Sequence, residues 1–193
     1  MSRVVGIDLG TGKTTAAVVK DGKPVLVANA EGSYTTPAVI AVMPGGQFLV
    51  GAKAHRQRDE YILYTKTRNY HWNIVGPQLN DLHKFFEEQY NELNGIVDEV
   101  AERARAVGGN AFGTVAEFSQ HTRLKEQPGQ YPSARAMLAN LLTDHEALIR
   151  HLRVDLETCV DKYHDAGTND FLTGMMEKHE KMAWMLRAFS QGE

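Results

Sequence analysis

The chain has 193 residues, with 21 Lys and Arg, 24 Asp and Glu, eight His and one Cys. A single cysteine excludes a disulfide framework and any Cys-rich zinc or iron–sulfur site, and it is typical of a reducing cytosol. The net charge of −3 argues against general nucleic-acid binding through bulk charge. No apolar run approaches the length of a membrane span, and the N-terminus lacks a signal-peptide pattern. We therefore expect a cytoplasmic protein with no membrane partner.

The charge is divided unevenly along the chain. Residues 1–57 hold six basic and three acidic side chains, whereas residues 58–193 hold 15 basic and 21 acidic ones. The first segment also holds eight of the 17 Gly but only one of the eight His. This change of composition predicts two units, a small extension over 1–57 and a second domain over 58–193.

Short apolar runs bounded by turn residues predict strands in the extension. These runs are 4–7, 16–19, 25–27, 38–42 and 48–50. Asp21-Gly22 separates two of them and is typical of a two-residue hairpin turn. We expect a β-meander with little core of its own, because a segment of about 50 residues buries a small apolar surface.

From about Ala52 the apolar period changes to 3.6 residues, which predicts helices. The helices are expected over 52–74, from Asn80 or Asp81 to Val107, over 114–121 (short), over 133–163, and from Asn169 or Asp170 to Phe189. Four of these are long and amphipathic, which is typical of a four-helix bundle. The predicted fold is therefore mainly α, with a small β-rich extension. His145 lies on the apolar seam of the third long helix, and we expect it and His179 to pack in the core.

Two imidazoles and two carboxylates are candidate metal ligands. His71 ends the first helix and His83 begins the second, on either side of a Gly-Pro turn. Asp98 and Glu102 lie four residues apart on the second helix and therefore share a face. Such a mixed set suits iron or another divalent first-row metal. The alternative for the carboxylates is a solvated face neutralised by nearby arginines.

The spacing of these residues predicts how a site would be built. Asp98 lies over roughly 20 Å from His83 at 1.5 Å per residue, so one chain cannot easily gather all four ligands. Two antiparallel copies about a two-fold axis would form two equivalent sites. The chain also lacks the Glu-x-x-His motif of bundles that bind two irons within one subunit.

Three segments closely resemble the Dps family, the ferritin-like DNA-binding proteins from starved cells. They are YTKTRNYHWNIVGPQLNDLHKFFEEQYNEL, GTVAEFSQHTRLKE and GTNDFLTGMMEKHEKMAWMLRAF, and the resemblance covers about residues 59–190. It implies a hollow homo-dodecamer of four-helix bundles that oxidises Fe(II) with hydrogen peroxide and stores ferric iron. Protection from oxidative stress and a cytoplasmic or nucleoid location follow from the same resemblance.

The resemblance also implies roles for particular residues. His71 and His83 of one subunit, with Asp98 and Glu102 of its partner, would be the metal ligands and the catalytic residues of a ferroxidase centre. Trp72 would lie beside the iron, with interface packing as the alternative. Asp161, Asp165 and Asp170 would surround an acidic pore for iron entry, with a helix N-terminal charge as the alternative for Asp170.

The extension resembles the beginning of DnaK-type chaperones, which are actin-like ATPases. The matching strings include GIDLGT, DGKP, NAEG and TTPAV, and the first implies a phosphate loop at Asp8, Gly10 and Thr11. The other parts of that nucleotide site have no counterpart here, and Ile7 stands where a Walker A loop needs glycine. We therefore expect no ATP hydrolysis.

Many Dps proteins bind DNA through mobile basic termini. Here the first segment is predicted to form strands and the C-terminus, FSQGE, has no basic run, so we expect weak or absent DNA binding. The leading hypothesis is an iron-oxidising and iron-storing mini-ferritin. The alternatives are a non-enzymatic DNA-compacting or scaffold protein of Dps shape, and a nucleotide-binding module formed by the extension.

Overall fold

The computed structural model describes residues 5–9, 13–20, 23–28, 33–37, 40–42, 48–50, 56–119 and 122–190. The extension holds six strands, which are β1 (Val5–Leu9), β2 (Lys13–Lys20), β3 (Lys23–Val27), β4 (Thr36–Pro37), β5 (Ile40–Val42) and β6 (Phe48–Val50). β1, β2 and β3 form an antiparallel meander, and Lys20 pairs with Lys23 as a two-residue turn requires. The turn itself, residues 21–22, lies outside the described residues.

The expectation of one meander through the whole extension is wrong. β4 pairs with Lys13 and Thr14 at the start of β2, along the same edge of β2 that pairs with β3 from Ala16 onward. β5 and β6 pair with each other as a separate sheet. Pro37, which pairs with Lys13, has no N–H to donate and so weakens the ladder at this point. Ile7, Val25 and Leu26 are exposed, in agreement with the small core expected for this segment.

The helices are α1 (Arg56–Asn73), α2 (Leu79–Ala106), α3 (Val115–Ser119), α4 (Ala134–Asp161) and α5 (Ala166–Ser190). α1 packs along α2 and α4 packs along α5, and side chains of all four long helices form one core. The fully buried members of this core include Leu63, Phe86, Leu93, Leu141, Leu148, Leu152 and Leu186. The predicted four-helix bundle is therefore confirmed.

Helix ends were predicted less well than helix bodies. α4 begins where it was expected: Ser133 caps it, because its hydroxyl accepts from the backbone N–H of Ala136 at 3.4 Å. α5 starts before Asn169, since Asp165 accepts from the backbone N–H of Thr168 at 2.9 Å. The start of α2 at Asn80 or Asp81 is also wrong: Gln78 is its N-cap residue, without a side-chain hydrogen bond.

Parts of two predicted helices, residues 52–55 and 120–121, lie outside the described residues. Within the described part of the chain, none of the helices is long and apolar enough to cross a membrane.

Two leucines of α2 test the core directly. Leu93→Ala removes a fully buried side chain and should lower the free energy of unfolding by about 2–5 kcal/mol. Leu79→Ala is the matched control, because Leu79 lies on the same helix with 47% of its surface exposed, and its cost should stay within about 0.5 kcal/mol. Urea unfolding followed by circular dichroism measures both, and equal losses would contradict the assigned core.

Candidate metal centre

The turn between α1 and α2 brings His71 and His83 together. Gly76 makes this turn with a φ of 111°, a backbone conformation that costs little only for glycine. The two imidazole rings stack with their centroids 3.7 Å apart and their planes inclined by 21°. His71 is buried and His83 is exposed, so the pair lies at the rim of the helical hairpin.

Each ring is held through Nδ1 by the backbone of the other histidine. Nδ1 of His71 is 2.8 Å from the carbonyl oxygen of His83, and Nδ1 of His83 is 2.9 Å from the carbonyl oxygen of His71. A carbonyl oxygen only accepts, so Nδ1 of each ring must carry a proton. A neutral ring then keeps its lone pair on Nε2, where it can bind a metal ion. The hairpin thus fixes both histidines in a ligand tautomer.

Asp98 and Glu102 lie one turn apart on α2, and both are exposed. Their basic neighbours bind elsewhere: Arg103 donates to Thr168 at 2.9 Å, and Arg105 donates at 2.9 Å to a carbonyl beyond the helix end. Among the ion pairs of the described residues, none includes either carboxylate. Arg103 and Arg105 therefore form no ion pair with Asp98 or Glu102. A cation bound between the two carboxylates would relieve their mutual repulsion.

α2 separates the two halves of the ligand set. The helix is unbroken from Leu79 to Ala106, which places Asp98 about 22 Å from His83 along its axis at 1.5 Å per residue. In the described part of one subunit, no three His, Cys, Asp or Glu side chains are close enough to hold a metal ion. The meeting of the two halves across a subunit interface stays a prediction.

An arginine held among aromatic rings lies beside the histidine pair. The guanidinium of Arg68 is 5.7 Å from the ring centroid of Tyr64, 5.2 Å from Trp72 and 5.3 Å from Tyr90, and it donates to the hydroxyl of Tyr64. Tyr90 also meets the ring of His71 edge-on at 5.2 Å. Burial, followed by the charge of Glu87, raises the pKa of Tyr90 above its ordinary value.

Of this aromatic group, only Trp72 is a candidate site residue from the sequence. Tyr64, Arg68 and Trp72 recur every four residues of α1, so the helical period was a signal that could have found all three. Trp72 is 65% exposed, which suits either of its expected roles, beside the iron or packed in an interface. The choice between them stays open.

The three aspartates expected at an iron-entry pore lie where α4 meets α5. Asp161 and Asp170 are exposed. Asp165 instead caps α5 within its own subunit and lies 3.7 Å from Arg103. The helix N-terminal role considered for Asp170 thus belongs to Asp165. The pore itself needs several subunits and stays a prediction.

Of the expected phosphate loop, Asp8 lies in β1, while Gly10 and Thr11 lie outside the described residues.

Two family models match the chain. The ferritin-like domain matches residues 54–192, which include all the helices. The Hsp70 protein model matches residues 4–89 and overlaps the first match over α1 and the start of α2. The resemblance of the extension to chaperones therefore has a counterpart in this second, shorter match.

Individual proteins are similar to the helical part. A low temperature-induced protein of Nostoc sp. is 50% identical over 135 residues, covering 70% of this chain and 75% of that protein. DNA protection during starvation protein 2 of Bacillus anthracis is 37% identical over 131 residues, covering 68% and 88%. The crystal structure of Dps from Staphylococcus aureus superposes with a TM-score of 0.67 at 34% identity, covering 73% of this chain and 94% of that one.

Proposed function

The chain belongs to the Dps family of ferritin-like proteins, and we propose that it oxidises Fe(II) with hydrogen peroxide and stores the ferric product. The proposed role is protection from oxidative stress. One observation carries the proposal: two stacked histidines have their Nδ1 protons fixed by backbone carbonyls, which leaves Nε2 of each for a metal.

The proposed centre is shared between two subunits of a homo-oligomer, a dodecamer as in the family. His71 and His83 of one subunit face Asp98 and Glu102 of a partner related by a two-fold axis. Antiparallel α2 helices would place the histidine end of each against the carboxylate end of the other, so each interface holds two identical centres. Neutral nitrogen and ionised oxygen donors together suit Fe(II), which is here a substrate.

The proposed reaction is a two-electron reduction of peroxide. Two Fe(II) ions give one electron each to one hydrogen peroxide molecule, whose O–O bond breaks to yield two hydroxide ions. Because both electrons reach the same peroxide, no hydroxyl radical leaves the site. We propose that Trp72, which follows His71 in the chain, and Tyr90, whose ring meets that of His71 edge-on, accept an oxidising equivalent that escapes the iron.

Iron would reach the interior through the acidic pore. Asp161 and Asp170 keep exposed carboxylates at the α4–α5 junction, as such a pore requires. Residues 58–193 carry an excess of acidic over basic side chains, which suits the collection of ferric product inside a shell. The β-rich extension over 1–57 is proposed as a separate unit that takes no part in this chemistry.

Removal of both histidines tests the centre. In His71→Ala/His83→Ala, the initial rate of Fe(II) oxidation by stoichiometric peroxide should fall at least about tenfold, since even residues that only orient metal ligands contribute that much. Stopped-flow absorbance of the ferric product measures this rate. His164→Asn is the control, because His164 is exposed at a left-handed φ of 51° that asparagine tolerates. Equal rates in all three proteins would rule out the assigned ligands.

Mixed assemblies test whether the centre is shared. Subunits of His71→Ala/His83→Ala and of Asp98→Asn/Glu102→Gln are each expected to be inactive alone. After joint dissociation and reassembly in equal amounts, about one quarter of the centres should regain all four ligands, because each half of a centre is intact in half of the subunits. Recovery of roughly that fraction of wild-type oxidation supports a shared centre. No recovery in assemblies shown to be mixed by native mass spectrometry contradicts it.

A second candidate function is DNA compaction without catalysis; the name of the Bacillus anthracis relative speaks of DNA protection during starvation for that protein. The C-terminal residues of this chain carry no basic run, and phosphate contacts from Lys and Arg dominate such binding. We therefore expect no retardation of plasmid DNA in a gel at low salt. A shift that disappears as salt is added would favour DNA compaction.

A further inference from the structure

Three buried titratable side chains form a hydrogen-bonded row across the bundle, away from the proposed iron centre. Glu60 of α1, His179 of α5 and His145 of α4 all have zero exposure. Nε2 of His179 lies 3.2 and 3.1 Å from the two carboxylate oxygens of Glu60. Nδ1 of His179 lies 2.9 Å from Nδ1 of His145. Nε2 of His145 is buried and has no hydrogen-bond partner among the described residues.

The distances limit how many protons this row can hold. Two Nδ1 atoms at 2.9 Å need one proton between them: with none the lone pairs repel, and with two the protons collide. The contact of His179 with a carboxylate requires a second proton on its Nε2. These two protons make both imidazoles neutral. The one remaining place for a proton is Nε2 of His145, so the pair can carry at most one positive charge while the contact is intact. One further proton would have to break the Nδ1–Nδ1 contact.

Few other charges face this row. From α1, Arg56 lies one turn before Glu60, but it pairs with Asp155 of α4. Lys66 of α1 pairs with Asp144, the neighbour of His145, at 2.6 Å.

α2 contributes the neutral Gln89, whose amide donates to the backbone of α5 at 3.3 Å. The remaining buried residues of α2 are apolar. Since the nearby ions already have partners, none of them is available to stabilise a second positive charge on the histidine pair.

We propose that Glu60, His179 and His145 form a proton-operated latch that holds α1, α4 and α5 together and opens in acid. With one excess proton or none, the row is intact and ties the three helices. Uptake of the next proton breaks it among fully buried side chains, which loosens the bundle. The proposal does not depend on iron chemistry.

The linkage between protonation and folding has a definite sign. Burial, followed by the charge of His179, holds the pKa of His145 well below its usual value of 6.5. In the unfolded chain the same side chain takes up a proton near pH 6.5. Below that pH the unfolded state therefore binds more protons, so stability present above pH 6.5 is lost as the pH falls.

The test compares the pH dependence of unfolding in two full-length proteins. His145→Asn keeps a neutral group that can donate to or accept from Nδ1 of His179, but it does not titrate. As the pH falls from 6.5 to 5, the unfolding constant, measured with urea, should rise in both proteins. The rise should be steeper in wild type than in His145→Asn, by about tenfold per pH unit. His164→Asn, at an exposed site, should keep the wild-type slope. Equal slopes in wild type and His145→Asn would overturn the latch.

A second measurement needs no variant and remains decisive if His145→Asn fails to fold. Deuterium exchange at the imidazole C2–H, followed by mass spectrometry of peptides, gives the titration midpoint of each histidine. The midpoint of His145 should lie well below that of His164. A midpoint for His145 near pH 6.5 in the folded protein would contradict the proposal.

Discussion

The unbroken length of α2 is the constraint on which the rest of the proposed function depends. A continuous helix from Leu79 to Ala106 cannot fold back, so it holds His83, with His71 of α1 stacked on it, near one end and two carboxylates about 22 Å further along. Neither half is a complete ligand set. If the halves meet only across a two-fold interface, catalysis exists only in the assembled protein, and free subunits cannot reduce peroxide with bound iron. Assembly then acts as the switch for the chemistry.

The interior of the bundle is more polar than its apolar helix stripes suggest. Lys66 and Asp144 pair at 2.6 Å between α1 and α4 with almost no exposure, and burial raises the pKa of Asp144 despite the nearby ammonium. Such pairs contribute little net stability, because desolvation of both ions offsets their attraction. Loss of one partner is costly, however. The pairs therefore penalise any shift of α1 against its neighbours, and this keeps the α1–α2 hairpin and its histidines in one register.

The sequence predicted what depends on local pattern. The 3.6-residue period located the four long helices, and the number of residues between His83 and Asp98 predicted their separation because a helix has a constant rise. The start of α5 was missed, since Asp165, Asn169 and Asp170 can all cap a helix and only tertiary packing selects one. The contact of Glu60 with His179 joins residues 119 positions apart. No local pattern specifies such a contact. The sequence therefore places His145 and His179 in the core but does not identify Glu60 as the partner of His179.

The first turn of α1, which follows the extension in the chain, is held in place by polar contacts. Arg56, Gln57 and Arg58 are buried where an amphipathic helix would place apolar side chains. Gln57 exchanges two 2.9 Å hydrogen bonds with the backbone of Phe112, and Arg58 lies 3.9 Å from the centre of that ring. Directional polar contacts of this kind fix position but add little net stability.

This turn is also where the ferritin-like and Hsp70 matches begin to overlap. His71 lies about 22 Å further along α1 at 1.5 Å per residue. Melting of the first turn would leave Asp155 buried without Arg56, so a disturbance there is costly even though this turn has little apolar packing. The length of α1, rather than a weak first turn, is therefore what separates the histidine pair from a disturbance at the start of the helix.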